Sequence, residues 1–380
     1  MRQSARQVLA EVAGAGFCRH PIRLYGETVN TVTGELRQQQ LHLPCKARRA
    51  AVCPSCSYLY KADAWILVSA GLLGGKGLPE SVVGHPRLFV TLTAPSFGAV
   101  HTQTATGACH PGPTSTCVHV PKCRARHEES DAILGSALCP ACFDYEGAVL
   151  WNAAVSKLWN RTIDWLRHRL AASQCLSIGQ FRRVAELSYL RIAEVQRRGL
   201  VHLHVIVRCD GPDGPASSPP AWLAATLVTR ELLRVLDDLE MPTVADPVRW
   251  GAQRDVVDLT GESESAKLAA YVAKYATKTA DGSIGLSMRF RSREHIEHAA
   301  IGEHHRRMAL AAWDLGERPE LRTLRLRDHA HELGFTGQLL TKSRRFSTTF
   351  EKLRGARMAY MAEQHEEEPL LGTFGFVGRG

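Results

Sequence analysis

The stretch LVHLHVIVR, residues 200–208, decides the fold because apolar residues alternate in it with two histidines. Successive side chains of a β-strand point to opposite faces, so His202 and His204 share one face, and the other face holds Val201, Leu203, Val205 and Val207. The preceding stretch FRRVAELSYLRIAEVQ, residues 181–196, is also strand-like, and only Arg-Arg-Gly, residues 197–199, separates the two. Together they predict an antiparallel β-hairpin with one buried apolar face.

The histidine face of this hairpin is a candidate metal site. Two neutral imidazoles can bind a divalent ion, but they leave coordination positions that a neighbouring carboxylate or amide usually fills. With the turn at residues 197–199, Glu194 lies opposite His202, and Gln196 lies two residues further along the same face. We expect Glu194 to be the third ligand, with Gln196 as the alternative. Taken alone, a His-x-His strand is also compatible with an ordinary surface face of a sheet.

The hairpin belongs to a longer series of predicted strands and helices. RLFVTLTAPS, residues 87–96, is rich in β-branched and aromatic residues and predicts a strand that stops at Pro95. Apolar residues recur every three to five positions between 147 and 172, which predicts a helix. Further helices are expected over 221–240 and 263–279, with a short strand in RDVVDLT between them. The expected fold class is therefore α+β, with an antiparallel sheet and flanking helices.

The last of these helices contains YVAKYATK, residues 271–278. Tyr271 and Tyr275 are four residues apart and so are neighbours on one helix face; Lys274 and Lys278 are neighbours on an adjacent face. A phenol of pKa near 10 is a weak nucleophile at neutral pH and needs a nearby cation or metal ion. The lysines could hold a scissile phosphate or stabilise charge in the transition state. An ordinary amphipathic helix is the alternative.

Nine of the 11 cysteines fall in two groups, within residues 18–56 and 109–142. Cys53-Pro-Ser-Cys56 and Cys139-Pro-Ala-Cys142 each have the spacing of a zinc knuckle, which needs two further ligands for a tetrahedral structural site. Cys45 with Cys18 or His20 could complete the first site. The second could draw on nearby thiols and imidazoles, and we expect Cys117 and Cys123 there, with Cys109, His110, His119 and His127 as alternatives. Cys175 and Cys209 are expected to be buried small apolar residues.

Composition narrows the class of protein. The chain has 380 residues, 44% of them hydrophobic, and 47 Lys plus Arg against 38 Asp plus Glu give a net charge of +9. This excludes disorder of the whole chain and favours a polyanionic partner. We find no apolar run long enough for a membrane span and no signal-peptide core, so the expected location is the cytoplasm, without membrane partners. In that reducing compartment the cysteines are expected to bind metal rather than form disulfides.

These motifs occur in a recognisable order. The strand LFVTLTAPSFG, the VHLHV strand and the YVAKYATK helix resemble, in that order, the three motifs of the HUH endonucleases that start rolling-circle replication. The runs CPSCSYLYKADAW, LFVTLTAPSFGAVH, LCPACFDYEGAVLWNA, RRGLVHLHVIVR, YVAKYATK and LGFTGQLLTKSRRFSTTF resemble the replication initiators of actinobacterial plasmids and integrative conjugative elements. The resemblance covers about residues 15–360.

The resemblance implies a palm-like antiparallel sheet that carries His202, His204 and a Mg²⁺ or Mn²⁺ ion. It implies that Tyr275 attacks origin DNA and leaves a 5′-phosphotyrosine link and a free 3′-hydroxyl group. Many single-tyrosine initiators have Glu where this chain has Tyr271, so Tyr271 is either a second nucleophile or a support for Tyr275. Double-stranded and single-stranded origin DNA, a host polymerase and a host helicase are the implied partners.

The expected domains follow from these assignments. They are a cysteine-rich zinc-binding region over 1–80, an endonuclease domain over 87–282 with an insertion at 105–145, a basic and mostly helical DNA-binding region over 285–362, and a disordered tail over 363–380. In the third region, Lys342, Arg344 and Arg345 of TKSRRF are expected to contact DNA phosphates.

Three other functions would share part of this pattern. A two-tyrosine HUH transposase would have the same catalytic residues. A conjugative relaxase fits less well, because its nucleophile usually precedes the histidine motif. A zinc-containing DNA-binding regulator without enzymatic activity would explain the charge and the cysteines, but it would leave the two histidines and two tyrosines without a shared purpose.

Overall fold

The computed structural model of the chain describes residues 15–105, 107–112, 118–119, 121–259, 270, 274, 289–364 and 370–379. In chain order its strands and helices are β1 (Ile22–Asn30), β2 (Leu36–Leu43), α1 (Pro54–Leu73), β3 (Arg87–Leu92), α2 (Tyr145–Ser173), α3 (Ile178–Val184), β4 (Glu186–Val195), β5 (Val201–Asp210), α4 (Ala225–Asp238), β6 (Arg254–Asp258), α5 (Arg293–Glu297), α6 (Glu303–Leu315), β7 (Leu340–Lys342), α7 (Phe350–Gln364) and β8 (Leu370–Arg379). Three 3₁₀ helices cover Glu80–Gly84, Pro319–Leu324 and Leu326–Glu332. The fold is α+β, as predicted.

The described chain divides into two compact units. One contains residues 15–71, 270, 274, 347–364 and 370–379, and the other contains residues 72–259 and 289–346. This differs from the expected boundary at 285, because β7 joins the large sheet and α6 packs against α2. Basic residues in this part of the chain therefore belong to the same unit as the histidine strand.

The larger unit is built on a five-stranded antiparallel sheet in the order β6-β3-β5-β4-β7. Its centre is the predicted hairpin: β4 pairs with β5 in the register that sets Glu194 opposite His202. On the other side of β5, Thr91 of β3 pairs with His204. The turn closes through a hydrogen bond from Gly199 N to Gln196 O of 2.8 Å, and the φ of Gly199 is 76°. Glycine adopts this left-handed conformation without steric cost.

The apolar face of the sheet packs against α2. Leu203, Val205 and Val207 are fully buried in one core with Leu158 and Trp159 of the helix. The helix begins after Asp144, whose side chain accepts a hydrogen bond from Gly147 N at 2.8 Å. The predicted helix over 147–172 is confirmed. His202 and His204 lie on the opposite face of the sheet.

The predicted strand over residues 181–196 is wrong in its first residues. Residues 178–184 form α3, and β4 begins only at Glu186. The helix starts with a capping box, in which Ser177 and Gln180 each bond the backbone of the other. The sequence Ser-Ile-Gly-Gln carries that signal, since Ser or Thr followed three residues later by Glu or Gln satisfies two free amides at a helix start.

The smaller unit contains a three-stranded antiparallel sheet in the order β2-β1-β8. The tail was predicted to be disordered. Residues 370–379 instead form the third strand of this sheet and pair with β1 along its full length. Gly26 of β1 makes this approach possible, since a Cβ at that position would lie 1.9 Å from Thr373 O. Such pairing between strands from opposite ends of the chain leaves no local signal in the sequence.

None of the helices in the described ranges is long and apolar enough to cross a membrane.

Candidate active site and metal centres

The two imidazoles of β5 lie side by side on the face of the large sheet opposite α2, where His204 is buried and His202 is partly exposed. Their ring centroids are 4.6 Å apart with an interplanar angle of 19°. His204 Nε2 lies 3.3 Å from Glu194 Oε2, and His204 Nδ1 lies 3.4 Å from Thr91 Oγ1. The strand register thus brings together the two histidines and the carboxylate expected to bind the catalytic ion, with Thr91 beside them on the third strand.

Gln196, the alternative third ligand, contacts the other histidine. Its Nε2 lies 2.8 Å from His202 Nδ1, and its Oε1 accepts a 2.9 Å hydrogen bond from Arg198 Nε. Arg198 also donates to Ala94 O at 3.2 Å, at the end of the first predicted strand. Burial lowers the pKa of Arg198. The turn arginine therefore fixes the amide that orients His202.

His202 has the properties of a neutral ligand. Burial, with a contribution from His204, lowers its pKa to about 4, so the ring is uncharged at physiological pH. Its Nε2 is buried and has no hydrogen-bond partner among the residues the structure describes. A buried nitrogen without a partner is unfavourable unless another group uses its lone pair. Gln196 Nε2 donates to Nδ1 in this arrangement, so a metal ion at Nε2 requires the other tautomer and a turned Gln196 amide that gives up its bond from Arg198 Nε.

The tyrosine motif falls mostly outside the described residues. Tyr271, Tyr275 and Lys278 all lie outside them, whereas Lys274 is helical and exposed, as the predicted helix requires. The roles of these four residues therefore rest on the sequence.

The first predicted zinc site is assembled from Cys18, Cys45, Cys53 and Cys56, hereafter the four-cysteine group, whose sulfur atoms all lie within 4.8 Å of one another. Two of the separations, Cys45–Cys56 and Cys18–Cys53, are 3.7 and 3.8 Å. A tetrahedron with zinc–sulfur bonds of about 2.3 Å has edges of about 3.8 Å. The structure thus selects Cys18 rather than His20 as the partner of Cys45.

Backbone amides support this group. Arg19 N donates to Cys53 Sγ at 3.3 Å, and Cys45 N donates to Cys18 Sγ at 3.2 Å. Burial alone would raise the pKa of the Cys53 thiol, but hydrogen bonds from the Arg19 and Cys56 backbones lower it to about 6. A thiolate is the form that binds metal.

The second predicted site divides into two groups. His119, Cys139 and Cys142 form one, hereafter the Cys139 group, with His119 Nδ1 3.1 Å from Cys142 Sγ. Cys123 was expected to join them but belongs instead to a group with His101, Cys109 and His127, hereafter the His101 group. Cys117 lies outside the described residues. The sequence provides an excess of ligands, and only the path of the loop determines how they are shared.

Cys175 and Cys209 lie outside these groups, and both were predicted to be buried. Cys209 is buried, as predicted. Cys175 is exposed, so the prediction for this residue was wrong. His101 and its group were missed as a separate site, although the Cys123-x-x-x-His127 spacing is a metal-ligand signal.

The residues expected to bind DNA lie at β7 and just after it. Lys342 Nζ contacts the carbonyl oxygens of Ser343 and Arg344 at 3.3 and 3.2 Å. Arg344 is exposed, and Arg345 pairs with Glu186 at 3.1 Å. Arg345 also lines a groove with Arg167 and Arg182, and the same two arginines line an adjoining groove with Arg161 and Arg169. We call this continuous surface the arginine groove.

Comparison with known proteins gives the family. Residues 4–372 match the family model described as "RepSA: Replication initiator protein, pSAM2". A replication initiator protein of Streptomyces ambofaciens is 37% identical over an alignment of 392 positions, which covers 96% of this chain and 82% of that protein. No solved structure matches the chain. The family model matches nearly the whole chain, and the relative is similar along almost all of it. The chain therefore belongs to the RepSA family of replication initiator proteins.

Proposed function

We propose that this replication initiator is a metal-dependent HUH endonuclease that nicks one strand of its origin DNA and later rejoins it. The observation that carries the proposal is the His202–His204 pair beside Glu194, with a neutral imidazole whose buried Nε2 has no partner among the described residues. A regulator that only binds DNA would have no use for this arrangement.

His202, His204 and Glu194 would hold a Mg²⁺ or Mn²⁺ ion, with Gln196 as the alternative third ligand. Such an ion supplies positive charge that polarises the scissile phosphate. The residues around it would supply the geometry. Thr91 would orient His204, and Arg198 would orient His202 through Gln196.

Tyr275 would be the nucleophile. Its phenol oxygen bonds to phosphorus as its proton passes to water, while the bond to the 3′-oxygen breaks and that oxygen takes a proton from water and leaves as a hydroxyl group. Lys274 and Lys278 would neutralise the phosphate, and Tyr271 would either attack in the rejoining step or support Tyr275. The 3′-hydroxyl would serve a host polymerase, with a host helicase opening the duplex in the cytoplasm.

Structural zinc would stabilise the cysteine-rich segments. Thiolate and imidazole ligands suit Zn²⁺, and a structural ion supplies folding free energy where little apolar surface is buried. The four-cysteine group and the Cys139 group are the two sites that the knuckle motifs predict.

The arginine groove would bind origin DNA by its phosphates. Arg161 and Arg182 are exposed, and neither forms an ion pair among the described residues. Trp165 lines the same groove and is 38% exposed, so a base could stack on it. Arginine presents a planar donor fork that matches phosphate oxygens.

The nicking proposal is tested with a labelled single-stranded origin oligonucleotide and Mn²⁺. We expect the wild-type protein to form a covalent adduct that survives denaturing electrophoresis. Tyr275→Phe should abolish this adduct or leave only a residual signal that disappears in Tyr271→Phe/Tyr275→Phe. Adducts from the double variant would refute the assignment of the nucleophile.

The metal assignment has its own controls. His202→Gln and Glu194→Gln should weaken Mn²⁺ binding by more than the about tenfold to a hundredfold that loss of an outer-shell partner costs, and should reduce adduct formation in parallel. His298→Gln changes an exposed histidine outside the site and should leave both unchanged. DNA binding without adduct formation under all metal conditions would instead support the non-enzymatic regulator.

A further inference from the structure

We propose that the His101 group binds a zinc ion of its own, and that this ion fastens the insertion to the turn of the catalytic hairpin. The site is additional to the two that the Cys-x-x-Cys motifs predict. Zinc binding here is independent of the proposed nicking reaction, whereas the effect on His202 rests on that proposed function.

The four donor atoms of the group have the spacing of a tetrahedral site. His127 Nε2 lies 3.3 Å from Cys123 Sγ and 3.2 Å from His101 Nδ1, and His101 Nδ1 lies 4.0 Å from Cys109 Sγ. All four atoms lie within 4.8 Å of one another. Zinc with two sulfur and two nitrogen ligands at bond lengths of about 2.0–2.3 Å requires separations of about 3.3–3.8 Å.

The neighbours of these ligands are those that zinc sites use. Asp131 Oδ2 lies 3.2 Å from His127 Nδ1, so the carboxylate holds the proton on that nitrogen and leaves Nε2 directed at the other ligands. Thr102 N lies 3.2 Å from Cys109 Sγ, which stabilises a thiolate. Cys109 and His127 are buried, which shields a bound ion from water.

Such an ion would stabilise the insertion. In the described parts of residues 93–144 the backbone forms only isolated bridges, such as His110 with Cys123 and Val100 with Ala137, and no helix or strand. A segment of this kind gains little from hydrogen-bonded secondary structure, and a bound metal ion would add to the stability that its apolar contacts provide.

The His101 group is connected to the hairpin turn by a short path of backbone contacts. His101 N donates to Ser136 O at 2.9 Å, and Gly135 N donates to His101 O at 2.8 Å. Gly135 has a φ of +82°, and a Cβ there would lie 2.6 Å from the backbone carbon of Arg197. The insertion therefore packs directly against the turn.

A second contact joins the insertion to the same turn. Ala137 N donates to His304 Nδ1 at 3.3 Å, and His304 Nε2 lies 3.1 Å from Arg198 O. Arg198 holds Gln196, and Gln196 contacts His202. Loss of the ion would free residues 135–137 and so loosen the turn that positions a catalytic ligand.

The first experiment measures zinc per chain in the purified full-length protein by inductively coupled plasma mass spectrometry. Cys123→Ser should contain one zinc ion fewer than the wild type, and His127→Cys should retain the wild-type number because thiolate replaces imidazole. Cys175→Ser, at an exposed cysteine outside the three groups, is the matched control. Equal zinc in Cys123→Ser and the wild type would overturn the site.

A second measurement on the wild type covers the case in which Cys123→Ser does not fold. Iodoacetamide labelling should leave Cys123 unmodified until a chelator removes zinc, while Cys175 reacts throughout. Labelling of Cys123 that does not change with the chelator would equally overturn the site.

The connection to the hairpin is tested by hydrogen exchange of peptides covering residues 196–204, without DNA. Exchange should be faster in Cys123→Ser than in the wild type and should return to the wild-type rate in His127→Cys. Loss of one zinc ion with unchanged exchange would refute the fastening role and leave the site itself standing. Failure of the nicking reaction would affect neither readout.

Discussion

Single residues on the histidine face of the large sheet have charge states that their neighbours determine. His202 stays neutral because its ring is buried beside a second imidazole, and the carboxylate of Glu194 contacts His204. Arg198 contributes a third effect, since it holds the Gln196 amide against His202. Each of these interactions depends on strand register, so a shift of one residue would move both imidazoles to the face that packs against α2.

His304 is a buried histidine whose charge state should influence stability. Its Nδ1 lies within hydrogen-bond distance of Ala137 N and Tyr145 Oη, and its Nε2 lies near Arg198 O; His305 is its titratable neighbour on α6. Burial lowers the pKa of His304 to about 4. As the pH falls, the unfolded chain binds a proton near pH 6.5, before the folded chain does.

His304 therefore contributes stability that is complete above pH 6.5 and is lost as the pH falls towards 4. We expect the free energy of unfolding to decrease over this window by at most about 3 kcal/mol from this group. His304→Gln should be less stable at pH 7.5 and should show a smaller decrease. Urea unfolding of both proteins at several pH values measures the difference, and parallel pH curves would contradict the prediction.

At the scale of elements, a buried ion network joins the segment before β3, the end of β5 and the segment after β7. Arg208 donates to both carboxylate oxygens of Asp210 at 2.7 and 2.9 Å, and His85 Nδ1 lies 2.8 Å from the same carboxylate. Burial alone would raise the pKa of Asp210, but His85 and Arg208 lower it. Arg208 also donates to Phe346 O at 2.9 Å, which holds the chain beyond β7.

Removal of one partner from this network should cost stability. Asp210→Ala leaves the buried Arg208 guanidinium without its carboxylate, and we expect a loss of about 3–5 kcal/mol. Asp213→Ala, at an exposed position three residues later, is the control and should change stability by less than about 0.5 kcal/mol. Guanidinium unfolding measures both. A loss below about 1 kcal/mol for Asp210→Ala would show that Arg208 finds another partner.

Local signals identified some elements and missed others. Alternation of apolar residues with two histidines over residues 201–205 identified β5, and the spacing of apolar residues identified α2. Residues 181–184 have a strand-like composition, so they were predicted as strand. The capping box at Ser177 and Gln180, which starts α3, was overlooked. Strand β8 was not predicted, because its partner β1 lies at the other end of the chain.

At the scale of the whole molecule, the chain has a net charge of +9, and several of its arginines line one surface. The arginine groove is lined by five arginines, Arg161, Arg167, Arg169, Arg182 and Arg345, with only Asp164 and Glu186 as acidic residues among the described side chains that line it. Asp164 pairs with Arg167 at 2.8 Å. A polyanion would meet a surface that is predominantly positive.

Substitutions in this groove should change the salt dependence of DNA binding. Arg161→Ala/Arg182→Ala should weaken origin binding and reduce the slope of log Kd against log salt by about 1 for each phosphate that the variant no longer binds. Asp164→Asn should strengthen binding because it releases Arg167 for phosphate. Fluorescence anisotropy between about 50 and 300 mM salt, a range in which screening of exposed charges increases, measures the slopes. An unchanged slope in the double variant would exclude the groove as a DNA surface.

The sequence by itself determined the features whose causes are local. Alternation placed His202 and His204 on one face, the short turn set Glu194 opposite His202, and the Cys-x-x-Cys spacing marked the two knuckles. Tertiary structure alone decided how ligands were shared: Cys18 joined the four-cysteine group, and Cys123 joined His101 rather than Cys139. The physical reason is that donor atoms meet according to the path of the folded loops, whereas the sequence records only their order and chemical type.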